Sequence, residues 1–262
     1  MTYDLIVVGG GPAGCAAAIT AARNGARTLL LERGRYPRQK VCGEFVSPES
    51  LSLLASLLLE ADRCPLLKSA QKIARARIFL DGGIIRARLS PPALSITRLE
   101  LDAELWRAAV AGGVEARQQV TVERVEARPS HPRFAVMTAH GIFESRTVID
   151  ASGRWSNLVS ARCELPDRNE RWLGLKAHFT EESSLDSVDI YFFPGGYCGV
   201  QPIGGGIVNA CAMVRSGVAS RLEEVLEHDP RLKARSADWR RVTETASTFP
   251  LAFRKPLCSE GG

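Results

Sequence analysis

The sequence predicts an α/β fold, and three observations carry that prediction. Residues 3–8 form an apolar run with β-branched side chains that ends in Gly9-Gly10-Gly11. An Ala-rich helical stretch follows over residues 12–24, and a second apolar run at residues 27–31 comes after Gly25. Together these make a βαβ unit of about 30 residues, which a right-handed crossover closes into a parallel sheet. The remainder alternates strands and helices. With 262 residues, 45% hydrophobic and 24% charged, the chain is not disordered, coiled-coil or collagen-like. Mean hydropathy is −0.05, and no apolar run reaches the ~18 residues that a membrane helix needs.

The elements follow in order. Residues 33–48 read as a loop with charges, two prolines and Gly43. Ser47 or Glu49 begins a helix to about residue 60. Strands at 73–80 and 84–89 flank Asp81-Gly82-Gly83, a hairpin signal. A short strand at 95–97 precedes an amphipathic helix over 98–111, stopped by Gly112-Gly113. Strands at 114–118, 120–126, 134–138 and 141–144 suggest a small meander. A buried strand at 148–150 leads into Ala151-Ser152-Gly153. Residues 174–214 are mostly strands, with turns at Pro194-Gly195-Gly196 and Gly204-Gly205-Gly206, and 221–239 read as a charged helix. No repeat or low-complexity linker separates the parts, so the second domain is an insertion. Its expected division is 1–70 and 95–160 against 71–94 and 161–262.

Composition narrows the function. Net charge is +5, a small excess over this length that gives no nucleic-acid footprint. Of the 34 basic residues 28 are Arg, scattered from Arg23 to Arg254 without a block of like charges. That reads as compositional bias rather than an anion-binding surface. Seven cysteines without a Cys-x-x-Cys pair argue against a disulfide framework or a zinc site, and a cytoplasmic setting is expected. The N-terminus has no basic segment before its apolar run, so it reads as a strand rather than a signal peptide. His131, His140, His178 and His228 are isolated, so no metal is expected. Neither a Gly-x-Ser-x-Gly elbow nor a P-loop occurs.

The strongest motif is Gly9-x-Gly11-x-x-Gly14 between strand and helix. Gly9 permits the tight turn, Gly11 lets backbone approach a pyrophosphate, and Gly14 lets the helix pack on the strand. The helix N-terminus presents free N–H groups to phosphate. Glu32 stands eighteen residues after Gly14, where a carboxylate accepts from the adenosine ribose. A Glu there disfavours a 2′-phosphate, leaving FAD or NAD.

Further segments separate these two. Glu32-Arg33 and Lys40-Val41-Cys42-Gly43-Glu44-Phe45-Val46-Ser47-Pro48, with Arg98-x-x-x-Asp102 and Asp150-Ala151-Ser152-Gly153, resemble the geranylgeranyl-reductase-like FAD-dependent oxidoreductases. These belong to the p-hydroxybenzoate-hydroxylase-type flavoproteins. The resemblance implies a Rossmann-like FAD-binding domain (GR2 type) with an interleaved antiparallel β-sheet substrate domain. It places Gly9, Gly11, Pro12, Ala13 and Gly14 at the FAD pyrophosphate, Glu32 at the ribose and Arg33 at the adenine. Arg98 would reach the phosphate or ribityl region, the backbone of Val122 the adenine edge, and Ala151 and Gly153 would pass close to the cofactor. Arg98 could instead pair with Asp102, and Val122 could be an ordinary core residue.

Cys42 and Glu44 are the proton-donor candidates, with Cys42 also near the flavin. The alternatives are a small space-filling Cys42 and a Glu44 paired with Lys40. Aromatics of 190–197 would line an apolar site, although Tyr197-Cys198-Gly199-Val200-Gln201 departs from the prenyl-reductase pattern Tyr-x-Trp-x-Phe. The Trp-x-Trp-x-Ile-Pro signature of flavin halogenases is absent. The implied function is flavin hydride transfer to an apolar, isoprenoid or polyketide-like substrate, with NAD(P)H as electron donor. A flavin monooxygenase is one alternative. The family's Gly-Asp segment is not found after residue 256, so C-terminal truncation is expected, and a truncated dinucleotide-binding module without turnover is the other alternative. A small apolar substrate, no nucleic acid and a peripheral membrane contact are the expected partners; the sequence leaves the oligomeric state open.

Overall fold

The computed structural model describes residues 2–58, 64–129, 133–154, 156, 158, 171–182 and 185–251. Contacts divide the chain into two units, Met1–Gln39, Val46–Ala70 and Ile96–Ser160 against Lys40–Phe45, Gln71–Ser95 and Ala161–Gly262. The short segment Lys40–Phe45 thus belongs to the second unit.

The first unit is built on β1 (Thr2–Val8), α1 (Pro12–Arg23) and β2 (Thr28–Glu32). Every residue of β2 is buried, as expected for a parallel strand covered on both faces. β3 (Phe45–Val46), α2 (Pro48–Leu57), α3 (Pro65–Ser69), β4 (Gln71–Leu80), β5 (Gly83–Ser95) and α4 (Arg98–Ala111) follow. Arg23 at the end of α1 donates to the carbonyls of Ser56 and Leu57, satisfying groups that the last turn of α2 leaves open. Thr97 caps α4, accepting from the Glu100 N–H at 3.2 Å, a contact worth about 1 kcal/mol. Residues 95–97 are therefore a strand end and a helix cap, not a separate strand.

The first sheet is completed by β6 (Glu115–Gln118), β7 (Val122–Ala127), β8 (Phe134–Thr138) and β9 (Gly141–Asp150), in the order β6-β2-β1-β9-β8-β7. The first four are parallel, as the crossover rule predicts, and β7 and β8 are antiparallel. The expected strands at 141–144 and 148–150 are one strand. β9 pairs antiparallel with β8 through Ser145 and parallel with β1 from Glu144 to Asp150, so a partner always satisfies its backbone.

The second unit carries β10 (Trp172–Thr180), β11 (Ser187–Phe193), β12 (Gly196–Gly204), β13 (Ile207–Arg215), α5 (Leu222–Leu226), α6 (Pro230–Ser236) and β14 (Ala246–Leu251). Its eight-stranded sheet runs β14-β10-β13-β12-β11-β4-β5-β3. The β11–β4 pair is parallel; β10, β12, β13 and β14 are antiparallel to their neighbours. One face presents Leu175, Ala177, Phe179, Val200, Val208, Ala210, Ala212 and Tyr191 to Leu222, Val225, Leu226 and Leu232 of α5 and α6. The helix expected over 221–239 is two helices. Pro230 cannot continue an i→i−4 ladder and begins α6 instead, with Asp229 as N-cap accepting from Arg231 and Leu232 at 2.8 and 3.1 Å.

The tightest point of the first unit is the strand-to-helix turn. A Cβ on Gly14 would stand 1.7 Å from the Gly9 carbonyl oxygen, and one on Gly9 (φ +106°) 2.3 Å from that of Ala151. Backbone cannot yield there, so Gly14→Ala is expected to lower the unfolding free energy by about 3 kcal/mol. Urea denaturation followed by circular dichroism measures it; a change below 1 kcal/mol would show that the turn relaxes easily.

Candidate functional site

The turn between β1 and α1 is a cradle of backbone. Gly11 precedes Pro12 at the first helical position, and no side chain caps the helix start. Cys15 N–H bonds the Gly11 carbonyl at 2.9 Å. Gly9 N–H bonds Leu31 O at 2.7 Å, and Ala151 N–H bonds Val8 O at 2.8 Å. These bonds bring Gly9, Pro12, Ala13, Gly14 and Ala151 into one corner above the parallel strands. Gly153 follows at φ +83°, and Ser156 Oγ donates to Asp150 at 2.7 Å.

Glu32 ends β2 and is buried. Its carboxylate accepts from Gly10 N–H at 2.8 Å, Gly34 N–H at 2.7 Å and Arg38 Nη2 at 2.8 Å. The Tyr36 hydroxyl also lies 3.5 Å from this carboxylate. Beside it Arg38 Nε is buried without a hydrogen-bond partner. An uncapped helix start and an unpaired guanidine N–H next to a buried carboxylate fit the phosphate and ribose of a dinucleotide. Tyr36 closes the corner. Its hydroxyl donates to Gly10 O at 2.6 Å, and its ring meets Trp106 at 5.6 Å between centroids. Burial first, then the Glu32 charge, push the Tyr36 phenol well above its ordinary value, so it stays a donor. Sequence pattern gave neither Tyr36 nor Arg38 a place at this corner, because both sit in a loop without periodicity.

The remaining sequence candidates of this unit lie as follows. Arg33 is exposed directly after β2. Arg98 opens α4 and makes a bidentate pair with buried Asp102, at 2.8 and 2.9 Å, the arrangement that a guanidinium fork favours. Val122 begins β7 and is buried against Tyr3, Ile6 and Val136.

In the second unit, Cys42 and Glu44 meet residues that the sequence kept apart. Glu44 (φ +60°) is fully buried between Lys176 Nζ at 2.7 Å and His178 Nε2 at 2.8 Å. Lys176 and His178 alternate along β10 with Leu175, Ala177 and Phe179, so they share the face opposite the apolar core. Polar residues at i and i+2 inside an apolar alternation were the available signal. Asn209 Nδ2 donates to the carbonyls of Cys42 and Gly43 at 3.1 and 3.0 Å, and Glu44 N–H reaches Cys42 Sγ at 3.4 Å. These bonds hold Glu44 in a backbone conformation that costs an L residue about 1–2 kcal/mol. On the same face Gln201 stands directly opposite Asn209, and the amide oxygens of both are buried without a donor. Burial, with the charges of Cys42 and Glu44 adding, pushes the Cys211 thiol up to about 12, so it is protonated at neutral pH. Of the 190–197 aromatics, Tyr191 stacks on Phe79 in the apolar core, whereas Phe192 and Tyr197 pair on the other face. The aromatic run is thus split by strand alternation rather than lining one site. His131, Cys163 and Cys258 lie outside the described residues.

Sheet order and glycine corner define a Rossmann-type dinucleotide-binding fold of the kind that FAD-dependent flavoproteins share. Residues 4–37 match the family profile described as "FAD dependent oxidoreductase". The chain is 30% identical over 237 residues to digeranylgeranylglycerophospholipid reductase 2 of Methanopyrus kandleri, covering 82% of this chain and 55% of that one. In structure it is similar to the myxobacterial chondrochloren halogenase CndH (TM-score 0.79, 22% identity, 94% of this chain and 63% of that one). It is also similar to halogenase PltM, solved in complex with phloroglucinol and FAD (TM-score 0.78, 17% identity, 95% and 60%). The chain thus spans under two thirds of the length of each. Among the described residues no helix is long and apolar enough to cross a membrane.

The buried ion pair makes a stability prediction. Lys176→Met leaves the Glu44 charge buried without its ammonium and is expected to destabilise by about 3–5 kcal/mol. The Glu44→Gln/Lys176→Met pair should recover part of that loss, as a double-mutant cycle in urea would record. Additive losses would mean that the two groups do not interact.

Proposed function

We propose that this chain binds FAD through its first unit and belongs to an oxidoreductase that acts on a largely apolar substrate. The observation that carries this reading is the corner of Gly9, Gly14 and Ala151 with Glu32 at the end of β2. Gly9, Gly11, Pro12, Ala13 and Gly14 would hold the pyrophosphate against the uncapped start of α1. Glu32 would accept from the adenosine ribose, and Arg33 would flank the adenine. Arg98, oriented by Asp102, would reach the cofactor's phosphate or ribityl region, and Val122, Ala151 and Gly153 would border it with backbone. FAD, when bound, supplies hydride transfer, or oxygen transfer if O₂ is the oxidant.

The second unit would shape the substrate side. Glu44 is held by Lys176 and His178, so it acts as the positioning residue of the Cys42–Glu44 turn rather than as a free acid. Cys42 is then the proposed proton donor. The unpaired amide oxygens of Gln201 and Asn209 would accept from one donor group on an otherwise apolar substrate. The reductase similarity supports reduction, with NAD(P)H as the proposed electron donor.

Visible absorption of the purified chain, after adding excess FAD and removing the unbound fraction, tests this. One retained flavin per chain is expected. Glu32→Gln should weaken retention by about tenfold or more, the loss of one charge-assisted hydrogen bond, with an unchanged circular dichroism spectrum. A chain that retains no flavin overturns the reading.

A further inference from the structure

The hairpin of β4 and β5 carries an arrangement that the nucleotide corner does not use. Its register sets Arg75 directly opposite Arg88 and Arg77 directly opposite Arg86. Directly opposed residues on one face bring their Cβ atoms to about 5 Å, and like charges there oppose folding. Two acids, one just before the neighbouring strand β11 and one within it, compensate only half of this. Asp186 accepts from Arg75 Nε at 2.7 Å, and buried Asp189 accepts from Arg77 Nε at 2.7 Å. Asp189 is shared further, since Arg235 of α6 also donates to it while binding Glu181 at 2.6 and 2.8 Å. Arg75, Arg77 and Arg235 thus take up the three carboxylates. Arg86 and Arg88 are exposed, and among the described residues neither has an ion-pair partner.

The four arginines line an open cavity of about 260 Å³ together with Ala76, Ala87, Leu185 and Ser187. That is below the roughly 300–1,000 Å³ of sites for whole drug-sized ligands and suits a compact anionic group. Guanidinium forks bind phosphate oxygens bidentately. The two carboxylates hold Arg75 and Arg77 in place from the β11 side, so the ligand would not have to order all four side chains. Arg86 and Arg88 contribute the uncompensated charge.

We propose that this hairpin face is a phosphate-binding site, made for a diphosphate or similarly multivalent phosphate group. The site is independent of the flavin reading, because it shares no residue with the glycine corner. Scattered in sequence, the four arginines become one cluster only through the strand register.

Calorimetric titration of the full chain with inorganic pyrophosphate at low ionic strength tests it. The wild type should bind with a one-to-one stoichiometry that weakens as salt is raised. Arg86→Gln/Arg88→Gln should bind at least about tenfold more weakly, since charge-assisted hydrogen bonds are lost. Its melting temperature should equal or exceed that of the wild type, because opposed like charges have been removed. A control pair with the same charge change at exposed positions elsewhere, Arg124→Gln/Arg240→Gln, should bind within twofold of wild type. Sedimentation with phosphatidic acid vesicles, against phosphatidylcholine vesicles, separates the sources of phosphate. Cosedimentation that pyrophosphate competes away assigns a lipid headgroup; pyrophosphate binding without it assigns a soluble phosphate. Absence of pyrophosphate binding by the wild type, equal weakening in the control pair, or a lowered melting temperature in Arg86→Gln/Arg88→Gln would each overturn the proposal.

Discussion

The first unit depends on one close approach. At the end of β1 the chain turns into α1 with so little space that Gly14 sits over the Gly9 carbonyl and Gly9 passes under Ala151. Any side chain at either position would displace backbone, and the backbone here is already committed to hydrogen bonds with Val8 and Leu31. The same approach aims the uncapped start of α1 at the corner. It also lets the Gly10 N–H reach across to Glu32. The same packing that fits the helix to the sheet leaves the start of α1 without a side-chain cap.

The second unit rests on a different constraint, the disposal of charge on a sheet with two unlike faces. One face is apolar and closed by α5 and α6. The other carries Lys176, His178, Gln201, Asn209 and Cys211 at alternating positions of β10, β12 and β13. A buried ammonium is stable only with a counter-charge, and Glu44 supplies it from a loop more than a hundred residues away. That ion pair, with the Asn209 bonds to Cys42 and Gly43, keeps the turn in a left-handed backbone conformation. Along the hairpin the disposal is incomplete, and Arg86 and Arg88 stay uncompensated at the surface.

The glycine corner was legible in the sequence as a strand-turn-helix because its signals are local. Strand, three glycines, helix and acid lie within 32 residues, and each has a meaning that does not need the rest of the fold. The amphipathic helix at 98–111 and the strand at 134–138 were legible for the same reason, since periodicity marks both. Boundaries failed where tertiary partners override local pattern. β9 continues through Ser145-Arg146-Thr147 because β1 and β8 both offer it hydrogen bonds. The 221–239 stretch breaks because Asp229-Pro230 starts a new helix where Leu232 can enter the core.

By itself, then, the amino-acid sequence determined the βαβ start, the placement of Glu32 at the end of β2 and the interleaving of two sheets. Turn chemistry and hydrophobic period act over a few residues, so they can be read without the fold. Only the tertiary structure decided which charges meet. It joined Glu44 to Lys176 and His178, Arg235 to Asp189 and Glu181, and Arg75 and Arg77 to Asp186 and Asp189. Such pairings follow from strand register and loop path, which set distances between residues far apart in the chain. Coulombic and hydrogen-bond energies depend on those distances and not on sequence separation.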